Sequence, residues 1–539
     1  MFHEALDELL RARFPIIYLE TFEGSRASTE IHSLLESGES TRTPRKIYEW
    51  SITTGLVDQT GKAKPNTKEP SAALHAASVL DEPAVFLFHD LHSQLGSDTR
   101  PADPTLIRQL REMANEFKVC AEPKTLVIIS PVLTLPIELE KEVSVLDFPL
   151  PSESEIRLAL EEMIDANKES GRIQILIEEE DKEKFAQAAA GLTLSEAENA
   201  FARAMVNDGK LDASDIAVVL EEKKQTIRKS GLLEYIDKTI DLDDVGGLEN
   251  LKRWLDRRNG SWFEEAKAFG LPAPKGVLIT GVPGCGKSLT AKGMAATWGL
   301  PLLRLDIGKV FAGLVGSSEQ NMRQAIKTAE AIAPCVLWVD EIEKGFSGAG
   351  GAGDSGTSSR VFGSFLTWMQ EKSKPVFVIA TANNIDRLPP EFLRKGRFDE
   401  IFFVDLPTDV ERTKIWEIQF SKRLNAAVHG TAVLEDSALL RQLVSKSEGY
   451  SGAEIEQAVI GGLFEAFHEE RAPIASDFLT SLGAMVPLSI TQQEVIQSMR
   501  SWANVRAISA SEQQEASVTA PTQKSKEPSE ERGGRRVDF

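Results

Sequence analysis

The chain has 539 residues, of which 42% are hydrophobic and 27% charged, proportions typical of a folded globular protein and not of a fibrous or wholly disordered one. Its length suffices for about three domains of roughly 150 residues each. Asp and Glu outnumber Lys and Arg by 82 to 61, and the net charge of -21 repels phosphate backbones, which disfavours a nucleic-acid partner.

The number of cysteines, the N-terminal residues and the lengths of the apolar segments indicate the cellular compartment of the protein. The three cysteines, Cys120, Cys285 and Cys335, are too few and too widely spaced for a disulfide framework or a CxxC metal site. The first residues include Glu4 and Glu8, where a secretion signal would be basic and then apolar. No uninterrupted apolar run reaches the roughly 20 residues that a membrane-spanning helix needs. We therefore expect an intracellular protein without a membrane span.

From residue 14 onward, five short β-rich segments alternate with helical stretches, which predicts a parallel sheet flanked by helices. The segments are FPIIYLET, KIYEWSIT, AVFLFHD, TLVIISP and VSVLDF. Residues 153–228 then become charged and helical, ending in LEEKKQTIRKS. We predict an α/β domain over residues 1–152, a helical appendix and linker over 153–228, and a boundary near residue 229.

A second alternation of strands and helices follows this boundary. Its strand segments are KGVLIT, LLRLDI, CVLWVD, VFVIAT and EIFFVD. After Pro407 the pattern turns helical again. We predict a large α/β subdomain over residues 229–410 and a helical lid over 411–508. Residues 509–539 are rich in Ser, Glu, Gln, Pro and Lys, and this composition predicts a disordered tail.

The two halves resemble an internal duplication, because each has five strand segments followed by a helical appendix. GLTLSEAENA, residues 191–200, matches GYSGAEIEQA, residues 449–458, at one Gly, two Glu and one Ala. FPLPSESE, from Phe148, also echoes FVDLPTDVE, from Phe403. Chance similarity between two α/β domains is the alternative.

The strongest chemical motif is GVPGCGKS, which stands between the strand segment KGVLIT and the helical LTAKGMAATWG. Its glycines allow backbone N–H groups to surround a phosphate, and the next helix offers its positive end to the anion. Lys287 would reach the β- and γ-phosphates, and Ser288 would hold Mg²⁺. A glycine turn with a coincidental GKS is the alternative. The predicted nucleotide-binding residues of this segment are Gly281, Val282, Pro283, Gly284, Cys285, Gly286, Lys287, Ser288 and Leu289.

Two acids follow the buried segment CVLWV about fifty residues later. Asp340 fits a Mg²⁺ ligand that acts through a water molecule, and Glu341 fits a group that orients and polarises an attacking water. A plain acidic turn is the alternative. Near the end of the next segment, VFVIAT, Asn383 supplies a neutral amide suited to hold the same water.

PPEFLRKGRFDE places Arg394 and Arg397 three positions apart. A guanidinium from a neighbouring subunit would stabilise the charge that develops on a transferred phosphoryl group. A surface pair of salt-bridged arginines is the alternative.

With these motifs in order, residues 241–470 resemble the AAA clade of the ATPases associated with diverse cellular activities. The resemblance rests on DDVGGLENLK, GVPGCGKS, VLWVDEIE, ATANN, LRKGRFD and GYSGAEIEQ. By position it assigns family roles as follows: Walker A to Lys287 and Ser288, Walker B to Asp340 and Glu341, the first sensor to Asn383, the arginine fingers to Arg394 and Arg397, and the second sensor to Gly452 and Ala453.

This resemblance implies an α/β fold with a P-loop AAA+ module, ATP hydrolysis with Mg²⁺, and a homo-oligomeric ring that usually has six subunits. It also implies a protein partner or substrate, whose identity the sequence leaves open. The whole chain is most similar to the cyanobacterial and plastid-encoded AAA proteins named for hypothetical chloroplast reading frame forty-six. That similarity implies a location in the bacterial cytoplasm or the plastid stroma.

Two segments depart from the AAA pattern. Where many unfolding rings carry an aromatic and hydrophobic pair in the pore, this chain has Gly313–Gly316, in which Leu314 is apolar but not aromatic. Threading of a substrate is therefore doubtful, and a nucleotide-gated scaffold or regulatory switch is the alternative to protein remodelling. The glycine- and serine-rich residues 345–360 are either a mobile second pore loop or a disordered insertion.

The N-terminal half has the same predicted order of strands and helices as the second half but lacks the motifs that would bind and hydrolyse a nucleotide. FEGSRAST follows its first strand without a GK pair, and Glu20 and Glu23 would repel a phosphate. Asp90 stands at the Walker B position, but a leucine follows it. We expect this AAA-like half to be degenerate and nucleotide-free, and to serve ring assembly or partner recruitment. His89 and His92 flank Asp90 and are read as solvated or core histidines, with a metal site as the alternative.

In the lid, apolar residues at every fourth position from Ile455 to Phe467 predict one packed helix face. Thr491 and Glu494 resemble a capping box that opens the last helix. Folded structure is expected to end near Arg506.

Overall fold

A computed structural model describes residues 2–36, 43–96, 101–168, 173–237, 240–261, 266, 268–311, 317–346, 357–394, 396–425 and 432–512. The chain divides into two compact units, Met1–Ser230 and Gly231–Phe539. None of the helices in the described ranges combines the length and the apolar character needed to cross a membrane.

The first unit is built on a six-stranded sheet. Its strands are β1 (Ile16–Glu20), β2 (Lys46–Ser51), β3 (Gly55–Asp58), β4 (Ala84–His89), β5 (Lys124–Ser130) and β6 (Val143–Asp147). They lie in the order β3-β2-β4-β5-β1-β6, and every neighbouring pair is parallel except β2 and β3. The five predicted strands are confirmed, and β3 is an edge strand that the sequence analysis missed.

Alternate residues of each central strand enter two different cores. In β1, Ile16 and Tyr18 belong to one apolar cluster, and Ile17 and Leu19 belong to the other. Both sheet faces are therefore covered, as a parallel sheet requires. The helices of this unit are α1 (Phe2–Arg11), α2 (Gly24–Glu36), α3 (Pro70–Val79), α4 (Pro104–Val119), α5 (Glu153–Lys168), α6 (Glu179–Ala189), α7 (Leu194–Asn207) and α8 (Ile216–Ser230).

The last four of these helices form the predicted helical appendix. They share a separate apolar core that includes Leu160, Phe185 and Phe201. A two-residue parallel pair, β7 (Gln174–Ile175) with β8 (Lys210–Leu211), joins their connecting segments.

The second unit contains a seven-stranded sheet and a helical lid. Its strands are β9 (Leu233–Ile236), β10 (Gly276–Gly281), β11 (Leu302–Leu305), β12 (Cys335–Val339), β13 (Val376–Ala382), β14 (Glu400–Val404) and β15 (Ile508–Ser509). They lie in the order β15-β14-β10-β13-β12-β11-β9, and only β9 runs antiparallel to its neighbour. The five predicted strands of this half are also confirmed.

The helices of the second unit surround this sheet and build the lid. In chain order they are α9 (Glu249–Asp256), α10 (Lys287–Thr297), α11 (Ile307–Val310), α12 (Ser317–Ala331), α13 (Thr357–Glu371), α14 (Asp409–Arg423), α15 (Ala432–Glu435), α16 (Ser437–Lys446), α17 (Gly452–His468), α18 (Ala475–Gly483), α19 (Leu488–Thr491) and α20 (Gln493–Arg506). The lid has its own apolar core, in which Trp416, Ile455 and Phe478 are fully buried.

The strand orders of the two sheets support an internal duplication. The predicted strands of the first half lie in the order β6-β1-β5-β4-β2, and their counterparts lie in the same order, β14-β10-β13-β12-β11. The two segments that match in sequence, residues 191–200 and 449–458, also have the same local structure. Thr193 caps α7 in a capping box with Glu196, and Ser451 caps α17 in a capping box with Glu454.

The lid differs from the sequence prediction at two helix ends. Ile455 and Val459 are buried, but Phe467 is 81% exposed. Gly462 of α17 lies against α18, where an added Cβ would be 2.5 Å from the Phe478 ring. Because a helix has 3.6 residues per turn, positions four apart drift by about 40° per step, so Phe467 lies about 120° around α17 from Ile455 and off the buried face. The predicted capping box of Thr491 is wrong, because Thr491 ends the short helix α19 and its hydroxyl donates to the Leu488 carbonyl.

Ordered structure extends past the predicted start of the tail. β15 pairs with β14 through Phe402↔Ile508 and Phe403↔Ser509, and Ala510 is fully buried. Asn250 Nδ2 donates to the carbonyls of Ser509 (3.2 Å) and Ser511 (2.9 Å). Residues 509–512 therefore belong to the second unit, and the rest of the predicted tail lies outside the described residues.

In the first unit, a buried acid and arginine join the helical appendix to the sheet. Glu23, between β1 and α2, accepts from the Leu194 N–H at the start of α7 (2.7 Å) and pairs with Arg26 (2.8 Å). The side chains of Glu23 and Arg26 are only 6% and 10% exposed. Arg26 also pairs with Glu155 (3.2 Å) and lies 4.3 Å from the centre of the Phe148 ring.

Arg26→Met is expected to lower the free energy of unfolding by about 3 to 5 kcal/mol, because it leaves the Glu23 carboxylate buried without its cation. Glu23→Gln combined with Arg26→Met should be at least about 1 kcal/mol more stable than Arg26→Met alone, since no uncompensated charge remains. Guanidinium unfolding of the full chain measures both differences. Arg11→Met, at a 60% exposed i,i+4 pair, is the control and should cost about 0.5 kcal/mol or less. A double variant no more stable than Arg26→Met would contradict this account.

Candidate functional site

The loop between β10 and α10 has a backbone that only glycine allows at its start. Gly281 has a φ of 137°, and a Cβ there would lie 2.0 Å from the carbonyl oxygen of Val404 in β14. Gly284 and Gly286 have φ values of 76° and 91°, in the left-handed region that glycine favours. The three glycines of the motif are thus required by the path of the chain itself.

Lys287 begins α10 and folds back into this loop. Its Nζ donates to the carbonyls of Gly281 (2.8 Å) and Val282 (2.9 Å), and the residue is buried. Burial lowers the pKa of Lys287 to about 8. In the same loop, burial raises the pKa of the Cys285 thiol to about 12, so this cysteine is protonated at neutral pH and is not a nucleophile.

Ser288 and Asp340 are brought together across the carboxyl edge of the sheet. The Ser288 hydroxyl donates to Asp340 Oδ1 (3.1 Å), and the Thr381 hydroxyl donates to the same oxygen (2.6 Å). Hydroxyl and carboxylate oxygens are the hard donors that Mg²⁺ prefers. The donor chemistry at Ser288 and Asp340 therefore fits this ion.

Glu341 lies next to Asn383, as the sequence analysis expects. Asn383 Nδ2 donates to Glu341 Oε1 (2.8 Å), and Lys344 forms an ion pair with Glu341 Oε2. Glu341 has a φ of 49°, an uncommon conformation for a residue with a side chain. Its N–H donates to the hydroxyl of Thr381 (3.0 Å).

Two further residues of the site were missed by sequence reasoning, Thr381 and Glu343. The Glu343 carboxylate accepts from the backbone N–H of Asn383 (2.9 Å), and burial raises its pKa. Glu343 ends the segment VLWVDEIE and Thr381 lies in VFVIAT, so both were in quoted motifs. Their contacts cross from one strand end to another and could be found only from the sheet register.

The start of lid helix α17 touches the loop. The N–H of Ala453 donates to the carbonyl of Gly284 (3.0 Å), and Gly452 is the first residue of the helix. A Cβ at Gly284 would lie 3.0 Å from the Cβ of Ala453. The structure thus brings Gly452 and Ala453, to which the family resemblance assigns the second sensor, next to the glycine loop.

The two arginines lie apart from these groups. Arg394 is 68% exposed and is 3.8 Å from Glu391 Oε1, and Arg397 Nη1 donates to the Glu391 carbonyl (2.9 Å). Within the described ranges, no hydrogen bond or ion pair joins either arginine to Lys287 or to the acids of the site.

In the first unit, Glu23 and Arg26 stand where the phosphate loop stands in the second. His89 Nε2 lies 3.3 Å from Ser28 Oγ and 3.5 Å from Glu49 Oε2. Among the described parts of the chain, no group of three or more His, Cys, Asp or Glu side chains could hold a metal ion.

Two predicted elements fall outside the described residues. They are the pore segment 313–316, with Leu314, and most of the glycine-rich segment, residues 347–356.

Family models match most of the chain. The SpoVK-like AAA ATPase N-terminal domain matches residues 2–148, and the second domain of the same proteins matches residues 154–230. The ATPase family associated with various cellular activities (AAA) matches residues 277–406, which include the phosphate loop, the acid pair and both arginines.

Relatives match over most of the chain or over about half of it. The AAA domain-containing protein ycf46 of Guillardia theta is 39% identical over 508 residues, which are 93% of this chain and 94% of the relative. The ycf46 protein of Trieres chinensis is 38% identical over 93% of this chain and 97% of its own length. A cell division cycle protein 48 homolog of Archaeoglobus fulgidus is 30% identical over 47% of this chain and 34% of its own. The chain therefore belongs to the AAA ATPase family, and within it to the ycf46 AAA domain-containing proteins.

Proposed function

We propose that this chain is a Mg²⁺-dependent ATPase that acts as a ring-forming homo-oligomer and couples ATP hydrolysis to the remodelling or regulation of a protein partner. The observation that supports it most is the meeting of the glycine loop with Ser288, Asp340 and Glu341 at one edge of the sheet. These groups have the chemistry that binding a polyphosphate and activating a water molecule require.

ATP would bind with its phosphates in the loop 281–288. The loop N–H groups and the start of α10 supply hydrogen bonds and positive charge to the β-phosphate. Lys287 would exchange the carbonyls of Gly281 and Val282 for phosphate oxygens. Its buried ammonium gains from this exchange, because a nearby anion offsets the cost of desolvating the charge.

Ser288 would hold Mg²⁺ directly and Asp340 through a water molecule. When bound there, the ion neutralises the charge that builds up on the phosphate oxygens during transfer. Before any ligand enters, the hydrogen bond between the two side chains already holds both donors toward one point.

Glu341 would take the proton of the attacking water, and Asn383 would orient both. The Asn383 amide already donates to the Glu341 carboxylate, which limits the directions in which this carboxylate can point. Lys344 also pairs with Glu341, so its ammonium must move aside or share the carboxylate when water binds. General-base assistance of this kind contributes about a hundredfold to ten-thousandfold in rate.

Arg394 and Arg397 would complete the active site of a neighbouring subunit. Arg394 is exposed, and within the described residues its ion pair is with Glu391, 3.8 Å away, so its guanidinium can reach across an interface. In a closed ring, every active site has a neighbouring subunit that could provide these arginines. Six subunits is the number that membership of the AAA family supports.

Through helix α17, the state of the bound nucleotide would affect the position of the lid. The N–H of Ala453 donates to the Gly284 carbonyl, and Gly452 lies beside the same carbonyl, so a phosphate that moves the loop also moves the start of α17. This contact supports a nucleotide-binding role for both residues.

A nucleotide-gated scaffold or regulatory switch is the second candidate. The non-aromatic Leu314 favours it, because an aliphatic side chain grips an extended polypeptide weakly. The first half has no GK pair after its first strand, and a half that docks a partner without hydrolysing ATP would also suit such a switch. For either function, the ycf46 relatives support a location in the plastid stroma or the bacterial cytoplasm.

Glu341→Gln is expected to bind ATP like the wild type and to hydrolyse it at least about a hundredfold more slowly, because the amide cannot accept the proton of water. Lys287→Ala should weaken ATP binding itself. Phosphate release and binding of a fluorescent ATP analogue separate the two effects. Glu448→Gln, at an exposed lid glutamate, is the matched control. Undiminished turnover in Glu341→Gln or Lys287→Ala would refute the assigned site.

Mixing variants tests whether the arginines act on a neighbour. Arg394→Ala and Lys287→Ala subunits should each be inactive alone and regain turnover when mixed, because intact arginines then face intact loops. Arg397→Ala should behave in the same way. A mixture of Lys287→Ala with Glu341→Gln is the control and should stay inactive, since every site then carries a damaged loop or acid. Failure of the arginine mixtures to regain turnover would mean that the arginines act within their own chain.

Light scattering of the Glu341→Gln protein separates the ring from the switch. We expect a larger closed assembly with ATP than with ADP or without nucleotide, because bound triphosphate draws the neighbour's guanidinium toward the site. A monomer under all three conditions would count against the ring and favour the switch.

A further inference from the structure

Thr381 is a buried polar residue at the centre of the site. It lies on β13, between the strand that leads to the glycine loop and the strand that leads to the acids, and is 2% exposed. Its register partner on β10 is Ile279. On the other side, Ala380 pairs with Val339, so Thr381 stands level with Asp340.

The Thr381 hydroxyl connects both acids at once. It donates its proton to Asp340 Oδ1 (2.6 Å) and accepts the backbone N–H of Glu341 (3.0 Å). A hydroxyl can donate one bond and accept others, whereas valine, which has the same shape and an equal preference for strands, can do neither. The polar side chain is therefore not explained by packing alone.

The bond to Glu341 acts on an uncommon backbone conformation. Glu341 has a φ of 49°, and a residue with a side chain stays in this region only when its surroundings hold it there. The Thr381 hydroxyl holds the N–H of Glu341, while Asn383 holds its carboxylate 2.8 Å away. Together they fix both ends of this residue.

The bond to Asp340 acts on the other side of the site. Thr381 and Ser288 both donate to Oδ1 of Asp340. Oδ1 thereby receives two donors, and the rotation of the carboxylate is fixed relative to Ser288. The other carboxylate oxygen, Oδ2, remains available to accept a bond from a ligand of Ser288 and Asp340.

We infer that Thr381 is a positioning residue that sets the Mg²⁺-side acid Asp340 and the water-side acid Glu341 through a single hydroxyl. The inference rests on the proposed ATPase function and deepens it. Thr381 touches neither the phosphates nor the attacking water in this role, and acts only through the two acids.

Thr381→Val and Thr381→Ser separate the hydroxyl from the packing. Valine keeps the branched shape and removes both hydrogen bonds, whereas serine keeps the hydroxyl and loses a methyl group. We expect turnover of the serine variant within about threefold of the wild type and turnover of the valine variant at least about tenfold lower. The KM for ATP at saturating Mg²⁺ should change little in the serine variant and rise by up to about tenfold in the valine variant, in which Asp340 is no longer held toward the ion.

Nucleotide binding with and without Mg²⁺ provides a readout that does not depend on turnover. The affinity for ATP in EDTA should be the same in the wild type and both variants, which also shows that the variants are folded. Addition of Mg²⁺ should strengthen binding less in Thr381→Val than in the wild type, by about tenfold, and should strengthen it normally in Thr381→Ser.

Three results would overturn the inference. Normal turnover and normal Mg²⁺ dependence in Thr381→Val would overturn it while leaving the ATPase function in place. An equal loss in the valine and serine variants would assign Thr381 to packing. A wild-type protein that neither binds nor hydrolyses ATP would overturn the ATPase function, and this inference with it.

Discussion

The approach of Gly281 to the Val404 carbonyl is the constraint on which the rest of the site depends. A side chain at residue 281 would lie 2.0 Å from that oxygen, and the next N–H, of Val282, donates to it (2.9 Å). β10 therefore turns sharply as it leaves the sheet beside β14. Only this turn lets Lys287 fold back over the loop and sets the start of α10 opposite the acids of the neighbouring strands.

The two halves seat their helical appendices on the sheet by different means. In the second unit the start of α17 meets a neutral carbonyl, that of Gly284. In the first unit the start of α7 meets the carboxylate of Glu23, which Arg26 neutralises. A helix N-terminus favours negative charge. The first half supplies that charge from its own chain, whereas in the proposed ATP complex the loop N–H groups of the second half would meet a phosphate.

Apolar strand segments made most of the fold predictable, because ten of them alternate with helices and nine carry buried side chains. The missed strands β3, β9 and β15 are short and lie at or near sheet edges, where few buried residues mark them. Lys287, Ser288, Asp340 and Glu341 could be predicted from local motifs. Thr381 and Glu343 could not, because their contacts depend on register. Phe467 was wrongly expected to pack, since an exact four-residue spacing drifts around a helix of 3.6 residues per turn and leaves the buried face.

Asp340, Glu341 and Glu343 gather within one short segment, and like charges at such spacing repel each other. The structure offsets this repulsion with bonds that do not depend on a ligand. Ser288 and Thr381 donate to Asp340, and Asn383 donates through its side chain to Glu341 and through its backbone to Glu343. β13 supplies one of these three donor residues, Thr381, and the first residue after the strand, Asn383, supplies a second. This strand and the residue after it thus keep the carboxylates oriented without a ligand, so that little reorganisation would remain for the proposed ATPase reaction.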